Sequence, residues 1–425
     1  MLRFSEDNRV MDSENYRAIL VGLQLSVDIS HSMAELRGLA EADNVEVLGE
    51  AVQALDKPNT ATLIGSGKVI ELAELVQNME ADMVIFNDEL TGMQLRNLED
   101  AIGVRVIDRT ILILDIFASR ADSAEGKLQV ELAQLQYRMP RLIGFGKSLS
   151  RLGGGIGTRG PGEKKLETDR RHIERRMDDI KEELRKLKNT RAVQRSRREK
   201  SEIPVVALVG YTNSGKSALM NKILEMTDKT EKSVREKDML FATLDTQQRS
   251  IKLDSNHEFI LVDTVGFVSR LPHGLVEAFK ATLEEVNYAD LLLHVVDASF
   301  AENEFQIQVT DKVLAEIGAS GKEKVMVFNK MDIAAEMQVP ARGEDNVFIS
   351  AKTGMNMDEL LQLISDRIFG SIVKATLLIP YDRGDLSSYL CEKAVVLSMD
   401  YKEEGTEFTV ELSQADYQRL KNYER

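Results

Sequence analysis

This chain of 425 residues predicts an α/β protein of several domains. A phosphate-loop domain is expected, preceded by a small α/β domain and an antiparallel helical hairpin and followed by a small C-terminal α/β module. Three observations carry that reading. Short aliphatic runs alternate with helix-spaced segments in the first and last parts of the chain. Two narrow apolar seams lie between them. A glycine loop, Gly210-Tyr-Thr-Asn-Ser-Gly-Lys-Ser217, joins a buried-type strand to a helix-forming segment.

Composition removes several classes. At about 150 residues per domain the length accommodates about three domains, each with its own core. Acidic residues number 70 against 55 basic, a net charge of −15, and the lone Cys391 excludes a disulfide framework. Apolar stretches such as Ala18–Val27 and Leu291–Val296 are too short or interrupted for a bilayer span, which needs about 20 apolar residues. Glu6 and Asp7 stand where a secretory leader would be cationic, so no transmembrane segment and a cytoplasmic location are expected.

Residues 1–112 alternate strands at Ala18–Leu25, Met83–Phe86 and Val104–Ile107 with helices at Ile70–Met79 and Gln94–Ile102. Gly65-Ser-Gly-Lys68 looks like a fragment of a phosphate loop. However, Thr62 replaces its upstream glycine and Val69 its hydroxyl residue, so a turn opening a helix is expected.

Residues 113–200 form the hairpin. One stripe falls at 117, 121, 124, 128, 132, 135 and 139; a second comprises Leu166, Ile173, Met177, Ile180, Leu184 and Leu187. Two narrow seams bury most economically against each other. The connection, 140–162, holds eight glycines and the basic Arg141, Lys147, Arg151 and Arg159 without an acid. From Arg138 to Lys200 there are 20 Lys and Arg against 9 Asp and Glu, a local +11 that leaves −26 elsewhere. A polyanion site and a solvated helix face both fit this charge, and a functional tip and a flexible linker both fit the glycines. Nucleic-acid binding is favoured because the flanking helix is also basic.

Residues 201–370 carry the chemistry. The uninterrupted apolar run Ile203–Val209 leads into Gly210, Tyr211, Thr212, Asn213, Ser214, Gly215, Lys216 and Ser217, and then into the helix-forming Ala218–Met226. Backbone N–H groups of such a loop cradle phosphates at a helix N-terminus, where the dipole favours negative charge. Lys216 is expected to neutralise the β and γ phosphates and Ser217 to hold Mg²⁺. The short strand Phe259–Val262 ends in Asp263, Thr264, Val265 and Gly266, with Asp263 directed to the metal and the Gly266 N–H to the γ-phosphate. Between these elements, Phe241, Ala242, Thr243, Leu244 and Asp245 offer Thr243 as a further hydroxyl ligand. Lys216, Thr243 and Gly266 are the candidate catalytic residues; Ser217, Thr243 and Asp263 are the candidate metal ligands.

Base selection comes from two strand ends. Val325–Phe328 ends in Asn329, Lys330, Met331 and Asp332; Val347–Ile349 ends in Ser350, Ala351 and Lys352. A carboxylate at Asp332 accepts from both N1–H and the exocyclic amine of guanine, an arrangement adenine does not offer. Unpaired buried polar groups make the wrong base costly, so GTP is expected over ATP. Phe267 stands where many GTPases place a water-orienting glutamine, which predicts slow unassisted hydrolysis. Asn213 resembles the position where some related GTPases hold potassium, and it equally fits a side chain capping its own loop. His172 and Cys391 lack partners at metal-ligand spacing and read as structural.

Residues 371–425 show strand-like runs near Thr376–Ile379, Ala394–Met399 and Glu407–Leu412 and a helix after Ser413.

These five nucleotide elements, GYTNSGKS, FATLD, DTVG, NKMD and SAK, resemble a translation-factor-class GTPase. Four other segments narrow the resemblance: Asp108-Arg-Thr110, Leu114-Asp-Ile-Phe-Ala-Ser-Arg120, Gly153-Gly-Gly-Ile-Gly-Thr-Arg-Gly-Pro-Gly-Glu163 and Leu166-Glu-Thr-Asp-Arg-Arg171. With them the chain looks like the HflX family of ribosome-associated GTPases. The resemblance implies a cytoplasmic GTP- and GDP-binding protein, expected to be monomeric and without a DNA partner. It also implies association with the large ribosomal subunit, separation of ribosomal subunits under stress, and a hairpin tip directed toward ribosomal RNA, with Arg151 and Arg159 as phosphate contacts.

Overall fold

The computed structural model describes residues 16–149, 161–199, 203–227, 247–253, 257–269, 283, 285–334, 343, 345–370 and 372–425. They divide into two compact units. The first holds the described residues up to Arg195 together with Val268 and Ser269; the second holds the remainder. Among the described residues no helix is long and apolar enough to cross a membrane.

The first unit begins with β1 (Tyr16–Gln24), α1 (Ser30–Ala42), β2 (Val45–Ala54), α2 (Ser66–Met79), β3 (Met83–Phe86), α3 (Gly92–Ile102), β4 (Arg105–Asp108) and α4 (Arg109–Arg120). Its four strands are parallel in the order β2-β1-β3-β4. Ile19, Val21, Val84 and Phe86 from the sheet pack against Leu72, Val76 and Leu98 from the helices. The expected strands and helices are present, and α2 opens directly after Gly65 as expected of a turn. Sequence patterning missed α1 and β2. Helix α1 mixes small and polar residues, and β2 is an edge strand whose residues are mostly exposed or half-exposed.

The hairpin consists of α5 (Ala124–Leu149) and α6 (Pro161–Glu199). Its seams meet as expected: Leu132 packs with Met177 and Ile180, flanked by Leu128, Leu135, Met139, Ile173 and Leu184. Arg176 adds a bidentate pair to Glu131 at 2.7 and 2.6 Å. Two differences from the sequence reading have local causes. The stripe from 117 to 139 is not one helix: α4 ends at Arg120, and the Ser123 hydroxyl accepts the Gly126 N–H at 2.9 Å to start α5. The connection does not begin at residue 140, because α5 runs through Pro140 to Leu149. The proline removes one backbone donor, and neighbouring Arg141 braces that turn. Its guanidinium donates to the Tyr137 and Leu90 carbonyls at 2.8 and 2.7 Å and lies 3.3 Å above the Tyr137 ring. Arg151 and Arg159 lie outside the described residues.

Asp108 and Arg109 are the buried hub of this unit. Asp108 caps α4 through the Ile111 N–H at 3.0 Å and also accepts from the Leu90 N–H at 2.9 Å and the Tyr137 hydroxyl. Burial raises its pKa and these donors oppose the rise. Arg109 pairs with Glu35 and donates to Asn87 Oδ1 at 3.1 Å and Ser269 Oγ at 3.1 Å; Ser269 in turn donates to Glu35.

The second unit contains β5 (Val205–Val209), α7 (Lys216–Thr227), β6 (Gln247–Lys252), β7 (Glu258–Asp263), β8 (Leu291–Asp297), α8 (Asn303–Glu316), β9 (Lys324–Asn329), β10 (Asn346–Phe348) and α9 (Met357–Phe369). The sheet order is β10-β9-β8-β5-β7-β6, with β6 antiparallel to an otherwise parallel set. Loops after β5, β7, β9 and β10 therefore emerge at one edge, the carboxyl end where open α/β sheets bind ligands. β11 (Ile372–Ile379), α10 (Gly384–Lys393), β12 (Val395–Lys402), β13 (Gly405–Ser413) and α11 (Gln414–Leu420) follow, with an antiparallel sheet ordered β11-β13-β12. The predicted strands and final helix of this module are present; α10 was not foreseen.

Candidate functional site

The loop between β5 and α7 is shaped by contacts that only glycine tolerates. Gly210 has φ +149, and a Cβ there would stand 2.2 Å from the Val295 carbonyl oxygen. Gly215 has φ +91, and a Cβ would stand 2.2 Å from Asn329 Nδ2. Asn213 between them has φ 60 and is exposed, a left-handed conformation that asparagine adopts more readily than most residues. Tyr211, Thr212 and Ser214 are buried.

Lys216 is only 6% exposed and donates from Nζ to the Gly210 and Tyr211 carbonyls at 3.0 and 2.8 Å. Burial pulls its pKa down to about 8, with the Asp263 carboxylate opposing. The Ser217 hydroxyl donates to Asp263 Oδ2 at 2.7 Å, and Asp263 is fully buried. Hydroxyl and carboxylate oxygens held this close are the hard donors Mg²⁺ prefers, so these two residues fit the predicted metal role. Among the described residues no cluster of three or more His, Cys, Asp or Glu forms a further metal site. Phe241, Ala242, Thr243, Leu244 and Asp245 lie outside the described residues.

The segment after β7 is pinned to the same loop. Thr264 Oγ1 donates to the Leu208 carbonyl at 2.6 Å. The Thr212 N–H donates to the Phe267 carbonyl at 2.7 Å, and the Phe267 N–H to the Gly210 carbonyl at 3.1 Å. A Cβ on Gly266 would come within 2.7 Å of Thr212 Cα and 3.1 Å of Lys216 Nζ. Val265 is buried, and Phe267 is 2% exposed, its ring packed inside the protein.

Asn329 joins the remaining elements. Its Nδ2 donates to the Ser214 carbonyl at 3.0 Å and its Oδ1 accepts from the Ala351 N–H at 3.0 Å. Met331 N–H donates to the Ile349 carbonyl at 3.1 Å. Ser350 donates to Asp332 Oδ1 at 2.7 Å, which orients an exposed carboxylate; Lys352, two positions after Ser350, is exposed. Lys330, at φ 64, pairs with Asp297 Oδ2 at 2.8 Å. Asp297 was missed by sequence reading, although it ends the apolar run Leu291–Val296, the position from which the other site loops depart.

With the glycine loop after β5 tied to the loops after β7, β9 and β10 along one edge of a mostly parallel sheet, the domain is a P-loop GTPase domain. Family models match the chain along most of its length: "GTP-binding GTPase N-terminal" over 30–118, "GTP-binding GTPase Middle Region" over 120–198, "50S ribosome-binding GTPase" over 205–330 and "HflX C-terminal domain" over 336–423. GTPase HflX of Caldanaerobacter subterraneus subsp. tengcongensis is 49% identical over 96% of this chain and 93% of its own; that of Escherichia coli is 40% identical over 95% of each. The chain belongs to the HflX family of GTPases. It is also similar to a GTP-binding protein from Sulfolobus solfataricus solved with GDP, at 26% identity, 83% and 98% coverage and a TM-score of 0.45.

Proposed function

We propose that the chain is a slow GTP hydrolase that binds the large ribosomal subunit in its GTP form and separates ribosomal subunits or acts in ribosome rescue or biogenesis. The buried Phe267 carries the kinetic part of this reading. A ring packed into the protein cannot hold an attacking water, so unassisted turnover on the order of 10⁻⁴ to 10⁻³ per second is expected. Stimulation by the subunit of roughly 10³ to 10⁵ corresponds to about 4 to 7 kcal/mol of barrier, within reach of positioning and charge.

Ser217 and Asp263, joined by Thr243, would hold Mg²⁺, which supplies charge neutralisation to the phosphates. Lys216 binds the same phosphates from the lysine side, and the Gly266 N–H senses the terminal one. Asn213 is a potassium ligand candidate, tested by comparing rates in potassium and sodium. The division into 1–112, 113–200, 201–370 and 371–425, the monomeric state and the cytoplasmic location belong to this reading. So does contact of the 140–162 tip with ribosomal RNA. On the duplex-DNA calibration, neutralising about six phosphates would weaken binding by roughly 10³ between about 50 and 200 mM salt.

Sedimentation of large subunits with the protein loaded with GDP or a nonhydrolysable GTP analogue tests the proposal. Preferential pelleting with the analogue supports it; equal pelleting overturns nucleotide control. Single-turnover hydrolysis that ignores added subunits would remove the stimulated-enzyme part. Phe267 also favours a second reading, a nucleotide-gated RNA-binding module in which hydrolysis only resets binding. A variant that binds GTP without hydrolysing it would then still separate subunits.

A further inference from the structure

The C-terminal module ends in a sheet with an unusual margin. β12 is one of its two edge strands, paired only to β13. Residues directly opposite across an antiparallel pair share a face. Met399 and Tyr401 stand opposite Phe408 and Thr406, on the face where Phe408, Val410 and Leu412 meet Leu386, Leu390 and Leu420. Phe408 is buried, yet Met399 is 44% and Tyr401 72% exposed. Leu397, at the register shift between Val396 and Ser398, is 46% exposed. Tyr381, 59% exposed, donates its hydroxyl to the Lys402 carbonyl at 2.7 Å and so extends this apolar surface to the turn.

The rim is acidic. Asp400, Glu403 and Glu404 are exposed, and among the described residues none of them has a basic partner. Lys402 and Arg425 are both engaged by Glu407, at 3.4 and 2.9 Å. Residues 371–425 hold 7 Lys and Arg and 10 Asp and Glu, 7 − 10 or −3, where the hairpin segment from 138 to 200 holds +11. Such a margin repels the phosphates that a basic hairpin attracts.

We infer that β12 is a docking edge for an extended, lysine- and arginine-bearing segment of a large-subunit protein. Main-chain pairing along Ser398–Lys402 would seat the segment, Met399 and Tyr401 would take its apolar side chains, and Asp400, Glu403 and Glu404 its cations. The occupant follows from charge. Proteins that coat RNA carry lysine and arginine to neutralise it, so they are the cationic surfaces a ribosome offers. The inference rests on large-subunit binding as proposed above.

The full chain carrying Tyr401→p-benzoylphenylalanine is bound to purified large subunits with a nonhydrolysable GTP analogue and irradiated. The expected product is a cross-link to a lysine- or arginine-rich peptide of a ribosomal protein, accompanied by at least tenfold slower amide exchange over Ser398–Lys402. A cross-link only to RNA, one only to a second copy of the chain, or no cross-link and no protection in a chain that co-sediments with subunits overturns the docking edge alone. A chain that does not co-sediment overturns subunit binding as well. In a second arm, Asp400→Lys, Glu403→Lys and Glu404→Lys are combined. Subunit affinity should fall about tenfold at low salt and recover toward parity as salt rises, with GTP affinity unchanged. Tighter subunit binding by the combined variant would mean that RNA faces this edge, and would overturn the inference.

Discussion

Ser-Gly-Lys stands at the start of two helices, as Ser66–Lys68 at α2 and as Ser214–Lys216 at α7, and the two loops differ in almost every physical respect. At the first, Gly65 is extended at φ −67, its N–H donates to Gln53 Oε1 at 2.8 Å, and a Cβ on Gly67 would touch nothing within 4 Å. Lys68 turns along its own helix to Glu71 at 2.7 Å. At the second, Gly210 and Gly215 are in backbone conformations closed to other residues, against atoms that leave no room for a methyl group, and Lys216 is driven inward onto carbonyls. The backbone shape expected of a phosphate cradle is therefore made by the packing that forces it, and the shared Ser-Gly-Lys alone does not make it.

That contrast is broken most directly by methyl groups. Gly210→Ala or Gly215→Ala combines left-handed strain with overpacking, about 2 to 6 kcal/mol together, so GTP affinity by titration calorimetry should fall roughly 30-fold to 10⁴-fold. Gly67→Ala should leave it unchanged and stabilise α2 by about 0.5 to 1 kcal/mol. Equal effects at both loops would refute the distinction. Asp332→Asn comes next, because it replaces an oriented acceptor by an amide whose donor faces guanine's donors. GTP binding should weaken by roughly 10² to 10⁴ while the protein's melting temperature barely moves.

A smaller effect separates the two lysines by pH. Lys216 titrates at about 8 in the folded protein against an ordinary 10.5. Phosphates require the charged form, so GTP affinity should be flat below pH 8 and fall by up to about tenfold per unit above it. Lys216→Arg should flatten the profile. Linkage has the opposite sign for stability. Between about 8 and 10.5 the unfolded chain binds more protons than the native one, so the nucleotide-free protein gains stability from this group as pH rises. The smallest effect is Lys68→Ala, which removes an ion pair with an exposed glutamate and should cost less than about 1 kcal/mol in chemical denaturation. GTP binding should not respond.

Most of the candidate site was legible because each loop is short and leaves the end of an apolar strand, a pattern local in sequence. Gly210–Ser217, Asp263–Gly266, Asn329–Asp332 and Ser350–Lys352 were found on that basis, as were the two hairpin seams. What escaped depends on long-range contacts. Glu35, Arg109 and Ser269 are separated by as many as 234 positions, and no periodicity marks them. Asp297 becomes meaningful only once Lys330 reaches it. Helix α5 passes through Pro140, where the next residue, Arg141, finds acceptors on Leu90 and Glu89, some fifty residues upstream. A residue-by-residue reading assigns proline its local cost and has no access to that distant support.

Asn329 has one more consequence. A single amide braces the loop after β5 and the loop after β10, the two that the proposed function assigns to the phosphates and the nucleobase, so loosening either breaks a hydrogen bond to it. On that assignment, nucleotide release is expected to open both loops together. A bare triphosphate or a lone guanosine, each meeting only half of the braced structure, would dwell far more briefly than the sum of its contacts suggests.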